Sequence, residues 1–333
     1  MNLVSIQAPA AVVMIRPHRF LPNPQTAADN AFQRTAGNGT PDLPSVSAAA
    51  RDEVTAAAQT LAEAGVRVHV FDDRGERDTP DSVFPNNWFS THPGGHIALY
   101  PMYSPNRRRE RRADVIEMLK AEYRVQDVID YSGLEYDDVF LEGTGAMVLD
   151  HVARIAYTAR SRRADPVALE RFCTHFNFEP ICFDTADADG RAIYHTNVMM
   201  SVATEFAMVG LDLIADSRRR GEIAQRLTET GRAVIALDPS QIANFAGNTL
   251  ELSGKDGRVL ALSRRAFDCL TRDQRTVIER SARLLPLDVP TIELAGGSVR
   301  CMLAGIHLAR RAVAPDAIAV ESAASLREAM APV

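Results

Sequence analysis

The sequence has little of several things, and each scarcity excludes something. Only four cysteines occur in 333 residues, Cys173, Cys182, Cys269 and Cys301, with no CxxC or other metal-type spacing. A disulfide framework or a zinc knuckle is therefore not expected, and the usage reads as a reduced, cytosolic chain. Eight histidines are scattered without HxH or HExxH spacing, so no metal is expected. No GxGxxG lies between a strand and a helix, and Gly143 and Gly145 do not make a dinucleotide fingerprint, so no cofactor is expected either. Positive charge is not in excess: the formal net charge is −6, which argues against nucleic acid as a partner. No apolar run is long enough to span a bilayer; Ala8–Ile15 is too short, lacks a basic leader and reads as a buried strand. No Pro/Ser/Gly-rich linker divides the chain, so 1–333 reads as a single domain. With 46% hydrophobic and 24% charged residues it can bury a large core.

What is present is repetition. An amphipathic helix over about 46–64 leads to the strand Val66–Phe71, an irregular stretch to Asn87, and two strands joined by Pro93-Gly94-Gly95. A Gly-Gly pair between apolar runs is a strong hairpin signal. The same order recurs with helices near 107–122, 166–175, 218–230 and 271–283. The turning points Asn87, Gly145, Asn197, Asn248 and Arg300 follow one another at about 52 residues, as in repeat architectures. The fifth unit lacks its second strand. The N-terminal strand 10–16 is expected to pair with a C-terminal strand at 299–309 and close a ring of five helix–strand–hairpin units. The fold class is therefore α/β, a pseudo-fivefold propeller.

A ring brings its turning points to one central mouth, so Asn87, Glu142, His195, Asn197 and Cys301 are expected to share a pocket. Cys301, read here as sitting near the start of a strand, would attack as a thiolate. His195, in the strand segment AIYHTNV, suits general base and general acid work because its ordinary pKa lies near working pH. Glu142, between an apolar run and two glycines, can face the pocket and orient His195. Taken singly each residue is as easily structural; three at equivalent points of one repeat favour chemistry. The Arg-rich run 106–112 reads as a solvated helix face, as does 218–220. Trp88, Met199, Met200, Cys173 and Cys182 read as core. Residues 21–44, rich in Pro, Gly and Asn and without periodicity, read as a lid over the site or a partner-binding arm.

On these residues the chain resembles the guanidine-modifying, or pentein, superfamily, in its dimethylargininase-like branch. Within that branch FPNNWFSTH, LEGTGAMVLD and YHTNVMMSV are similar to the citrulline-utilisation hydrolases. The resemblance covers nearly the whole chain. It implies Cys301 as covalent nucleophile, His195 as acid/base and Glu142 as its acidic companion. Asp81 would contact the amino-acid end of a small substrate, and Arg163 its carboxylate, a job suited to a bidentate arginine. Where relatives hold a guanidinium with carboxylates, this chain has Asn86, Asn87 and Asn197. Amides donate as well as accept, so a neutral ureido group fits them better. An arginine that the branch places before the second helix aligns here with Pro101. The resemblance thus implies hydrolysis of citrulline to ornithine, CO₂ and ammonia through an S-carbamoyl enzyme. The alternatives are a guanidine hydrolase or amidinotransferase, and a non-catalytic binding protein of the same fold. A homo-oligomer is compatible with the sequence.

Overall fold

A computed structural model describes residues 6–34 and 43–312 of the chain. Its strands fall into five three-stranded sheets of one design. In chain order these are β1 (Ala11–Pro17), β2 (Arg67–Asp73), β3 (Phe89–His92), β4 (His96–Leu99) and β5 (Asp127–Asp130). There follow β6 (Met147–Asp150), β7 (Ile155–Ala159), β8 (Glu179–Phe183), β9 (Met200–Val202) and β10 (Phe206–Val209). The last are β11 (Ala233–Ala236), β12 (Leu250–Gly254), β13 (Gly257–Ser263), β14 (Arg283–Leu287) and β15 (Ala304–Gly305).

In each sheet the inner strand pairs antiparallel with the middle one, and the outer strand lies parallel to the middle one. Three examples are β3–β4–β5, β6–β7–β8 and β12–β13–β14. A hairpin can join antiparallel neighbours, but the parallel partner needs a crossover, and a helix supplies it. The helices Ala113–Glu122, Pro166–Phe176 and Ser217–Glu229 fill this place. Two of the three start on an aspartate cap. Asp165 caps Val167 ahead of Pro166, and Asp216 caps Arg218 and Arg219. Such a cap is worth about 1 kcal/mol.

The fifth sheet joins the two ends of the described chain. β1 pairs antiparallel with β15 through Val12 with Gly305 and Val13 with Ala304, and parallel with β2 along its length. The fold is the mixed α/β, propeller-like repeat expected from the periodicity.

Two expectations fail locally. The stretch 299–309 is not one strand: Val299–Met302 forms a single helical turn, and only Ala304–Gly305 is extended. Val299, Cys301 and Met302 are all buried, so nothing in this segment alternates as a half-exposed strand would. The Cys301 N–H closes the turn onto the Ser298 carbonyl, while the Arg300 N–H is held by the Asn248 side chain. Likewise His195 lies in an extended link that caps the short turn Thr196–Val198, not in a strand. Of the suggested lid at 21–44, residues 35–42 lie outside the described residues. The remainder, 21–34, is a series of turns, and 43–44 begin the helix Leu43–Glu63.

Candidate active site

The turning points are short helical turns that cross the ring axis, and they stack against one another at its centre. Pro85–Asn87, Gly143–Ala146, Thr196–Val198 and Val299–Met302 are four of them; Asn248 marks the fifth. Close approach requires glycine here. A Cβ on Gly145 would lie 2.1 Å from Asn87 Nδ2 and 2.8 Å from His195 Nδ1. One on Gly143, whose φ is +50°, would lie 2.4 Å from the Asn86 carbonyl oxygen. Gly145→Ala is therefore expected to cost about 1–3 kcal/mol through overpacking. It should also lower turnover at least tenfold, measured by thermal unfolding alongside a steady-state assay.

Cys301, His195, Glu142, Asn87 and Asn197 come together, and all are at most 2% exposed. The Cys301 sulfur accepts from two amides, Asn197 Nδ2 and Asn248 Nδ2, each at 3.3 Å. Asn248 is fixed in turn, because its Nδ2 also donates to the Asn197 carbonyl at 2.9 Å. His195 Nε2 lies 2.9 Å from Glu142 Oε2. A carboxylate there makes Nε2 the protonated nitrogen and leaves the Nδ1 lone pair facing the space above Gly145.

Burial sets the charges. Glu142 is fully buried, yet Arg163, His195 and Arg107 outweigh desolvation and hold its carboxyl at about 2. For His195 desolvation wins: its pKa falls to about 4 although Glu142 pulls it upward. At neutral pH the pair is thus a carboxylate and a neutral imidazole.

Arg107 overturns the reading of 106–112 as a solvated face. It is buried, with Nε and Nη2 each donating at 2.9 Å to one oxygen of Glu110. Its Nη1 donates to Asn87 Oδ1 at 2.9 Å and lies 3.4 Å from Glu142 Oε2. Because a guanidinium can only donate, this bond fixes the Asn87 amide. Asn87 Nδ2 then donates to Asn86 Oδ1 at 3.0 Å. Pro101, aligned by sequence with a family arginine, instead accepts the Leu141 N–H on its carbonyl. Asn106 and Glu110 are buried with Arg107, while Arg109 and Arg112 pair with Asp78 and Asp114 towards the surface.

Asp81 and Arg163 border the same cluster, Asp81 beside Arg107 and Arg163 beside Glu142. Asp81 Oδ2 accepts from Asn23 Nδ2 at 2.8 Å, and Arg107 Nε is 3.6 Å away. Burial raises the Asp81 pKa, with Arg107 opposing. Arg163 lies over the Tyr194 ring at 4.9 Å, and its Nη1 is 3.6 Å from Glu142 Oε2. It also grips Asp29 with two bonds, Nε to Oδ2 at 2.9 Å and Nη2 to Oδ1 at 2.5 Å.

Asp29 belongs to the turns of 21–34, which lie across the site. Asn23 reaches Asp81 on one side. On the other, Asn30 Nδ2 donates to the Ala295 carbonyl, and the Arg34 N–H donates to Leu294. Phe32 packs against Tyr194 and Phe245. Three buried polar atoms of the site have no partner among the described residues: Asp81 Oδ1, Asn86 Nδ2 and Asn197 Oδ1.

The family described as N,N dimethylarginine dimethylhydrolase, eukaryotic, matches residues 16–308. The chain belongs to this family. No curated protein sequence matches it. Among solved structures, the N-terminal domain of ArgZ is similar; it is described as an arginine dihydrolase from the ornithine–ammonia cycle in cyanobacteria. It superposes with a TM-score of 0.67 at 15% identity over 89% of this chain and 97% of that domain. Unliganded AgrE gives 0.69 at 16% identity, over 91% of this chain and 40% of AgrE. A dimethylarginine dimethylaminohydrolase adduct with S-methyl-L-thiocitrulline gives 0.59 at 13% identity, over 90% and 99%. At such identities these structures speak to the dimethylargininase-like pentein fold.

Sequence reasoning missed Arg107, Asp29 and Asn248 as members of the site. Asn248 carried a signal, since it occupies the same place in its repeat as Asn197. Glu110, three residues after Arg107, was a weak one.

Proposed function

We propose that the chain is a cysteine hydrolase of linear C–N bonds in an arginine-like amino acid, and that its substrate is citrulline. One observation carries the choice of substrate: the walls around Cys301 are amides, and of the site's carboxylates among the described residues only Asp81 keeps a free oxygen. Glu142 serves His195 and two arginines, Glu110 serves Arg107, and Asp29 serves Arg163. A guanidinium at Cys301 would lack an anionic partner, whereas a ureido group needs only donors and acceptors. Asn86 Nδ2 offers a donor for the ureido oxygen, Asn197 Oδ1 an acceptor for its NH₂, and Asp81 Oδ1 an acceptor for the α-ammonium. Arg163 takes the α-carboxylate once Asp29 leaves.

In this reaction His195 Nδ1 removes the thiol proton, and Cys301 Sγ adds to the ureido carbon. The proton then goes to the departing nitrogen as the C–N bond breaks. Water, deprotonated by His195, attacks the S-carbamoyl carbon, the proton returns to the sulfur and frees the thiol, and the released carbamate loses its C–N bond to give CO₂ and ammonia. Citrulline and one water give ornithine, CO₂ and ammonia, and atoms balance. Incubation of the purified protein with citrulline should release ornithine and ammonia. Turnover of arginine or methylarginine with citrulline untouched would defeat the amide argument in favour of a guanidine hydrolase. That second reading draws on the family description and on the arginine dihydrolase ArgZ. Asn87→Asp should lower citrulline kcat/KM about 100-fold, since a carboxylate cannot donate to Asn86 Oδ1 and no longer orients the Asn86 amide for the ureido group.

Residues 21–34 act as a lid in this scheme. Asp29 is the lid's own carboxylate seated on the arginine meant for the substrate's. Substrate must displace it, so the apparent affinity is reduced by the fraction of closed lid. Asp29→Asn is expected to lower the KM for citrulline about tenfold with kcat changed less than threefold, read from initial rates. A raised KM would show that Asp29 assists binding.

A further inference from the structure

The inner strands enclose a second space on the ring axis, beyond the turning points from Cys301. It is lined by residues that follow each turning point, from β3, β6, β9, β12 and β15, and by neither Cys301, His195, Glu142 nor Asn87. Its volume, as room for the centres of water-sized spheres, is about 40 Å³. One water needs roughly 10–15 Å³ on that measure, so the space holds something small and compact.

Arg300 projects charge into this space without an anionic neighbour. Its guanidinium makes one bond, from Nη1 to the Leu303 carbonyl at 3.0 Å, and no carboxylate pairs with it among the described residues. Arg300 is part-buried, and the three arginines buried more deeply do not share this condition. Arg107 has Glu110, Arg163 has Asp29, and Arg232 is bidentate on Asp150. An unpaired charge shielded from bulk water is costly even when part-buried, and proteins ordinarily compensate it with a counter-charge. Desolvation pulls the Arg300 pKa down to about 10, with Cys301 opposing.

The remaining lining supplies neutral donors. His92 Nδ1 and His151 Nδ1 are buried without partners, and His151 stacks on His307 at 4.0 Å. Burial holds all three imidazoles well below their usual range, so they carry N–H groups without adding charge. Ser201 and Thr249 share a hydroxyl bond at 2.8 Å on the same wall. No group of three or more His, Cys, Asp or Glu side chains among the described residues is arranged to hold a metal. One cation, several donors and little room define an anion site.

We infer that this axial cavity binds a small monovalent inorganic anion, of the size of chloride or bicarbonate, on Arg300 with donors from His92 and His151. The inference is independent of which substrate Cys301 acts on. Because Arg300 adjoins Cys301 in the same turn, a bound anion would offset the positive charge behind the nucleophile.

The test is thermal unfolding of the whole protein in sodium chloride or sodium bicarbonate, against sodium gluconate of equal ionic strength. Gluconate is too large for the cavity. A saturable rise in midpoint of about 2–4 °C is expected at tenfold over half-saturation with the small anions only. A response to chloride alone or to bicarbonate alone supports the site and names its occupant. The rise should vanish in Arg300→Gln. Should that variant fail to fold, crystals of the unaltered protein soaked in bromide should show anomalous density beside Arg300. Equal responses in gluconate, a response retained in Arg300→Gln, or bromide density elsewhere only would overturn the inference.

Discussion

Cys301→Ala is expected to reduce citrulline turnover at least about 10⁴-fold while leaving a folded, substrate-binding protein. Loss of a covalent nucleophile removes the low-barrier route altogether, and the remaining residues then act only by binding and orientation. The fold should survive because the sulfur's partners are few and local. Asn197 and Asn248 each lose one acceptor, but Asn248 retains its bond to the Asn197 carbonyl. Unsatisfied amide hydrogens cost about 1–3 kcal/mol, which lowers the melting temperature without abolishing folding. Two measurements check this: the assay for ornithine and ammonia, and citrulline binding by calorimetry to the variant. Mass spectrometry of the unaltered protein quenched during turnover should show a carbamoyl adduct on the peptide carrying Cys301. Wild-type-like turnover by the alanine variant would return Cys301 to the role of a core residue.

How much of this could be read from sequence depends on whether a residue's role is periodic. The five units are legible because helix, strand and hairpin patterns repeat, and chain order then assigns the strands. The convergence of His195, Glu142, Asn87, Asn197 and Cys301 follows from the repeat alone. Roles that break the local pattern are not legible. Arg107 sits among six charged residues between positions 107 and 112, and five of those resemble any solvated run. Only the packing of Pro85–Asn87 against Gly143–Ala146 shows that this arginine turns inward to Asn87 and Glu142. Asp29 is hidden for a different reason, since a segment without periodicity does not announce which residue it lays against Arg163. The helical turn at Cys301 is a third case. Val-Arg-Cys-Met suits helix or strand, and tertiary bonds from Asn248 decide it.

His195 carries the second large effect, and its environment fixes the pH at which it operates. Its folded pKa, about 4, is below the ordinary histidine value because burial outweighs the attraction of Glu142. The base form therefore persists down to about pH 4. The acid limb of kcat/KM is expected there, not near pH 6.5 where an exposed histidine would titrate. The same shift carries a stability cost on the acid side. An unfolded chain takes up this proton near pH 6.5 and the folded one only near 4, so the contribution of the neutral buried ring is lost as pH falls between them. Glu142→Gln removes the group that raises the pKa, so the limb should move lower still even as turnover falls. His195→Ala should remove the limb and cost about 10²–10⁴ in kcat, the usual worth of a positioned general acid–base. A pH–rate profile from pH 3.5 to 8 on the unaltered protein and both variants decides the point. An acid limb at 6.5 unaffected by Glu142→Gln would mean that His195 is not the titrating base. The Glu142 contact would then serve only to hold the ring beside Gly145.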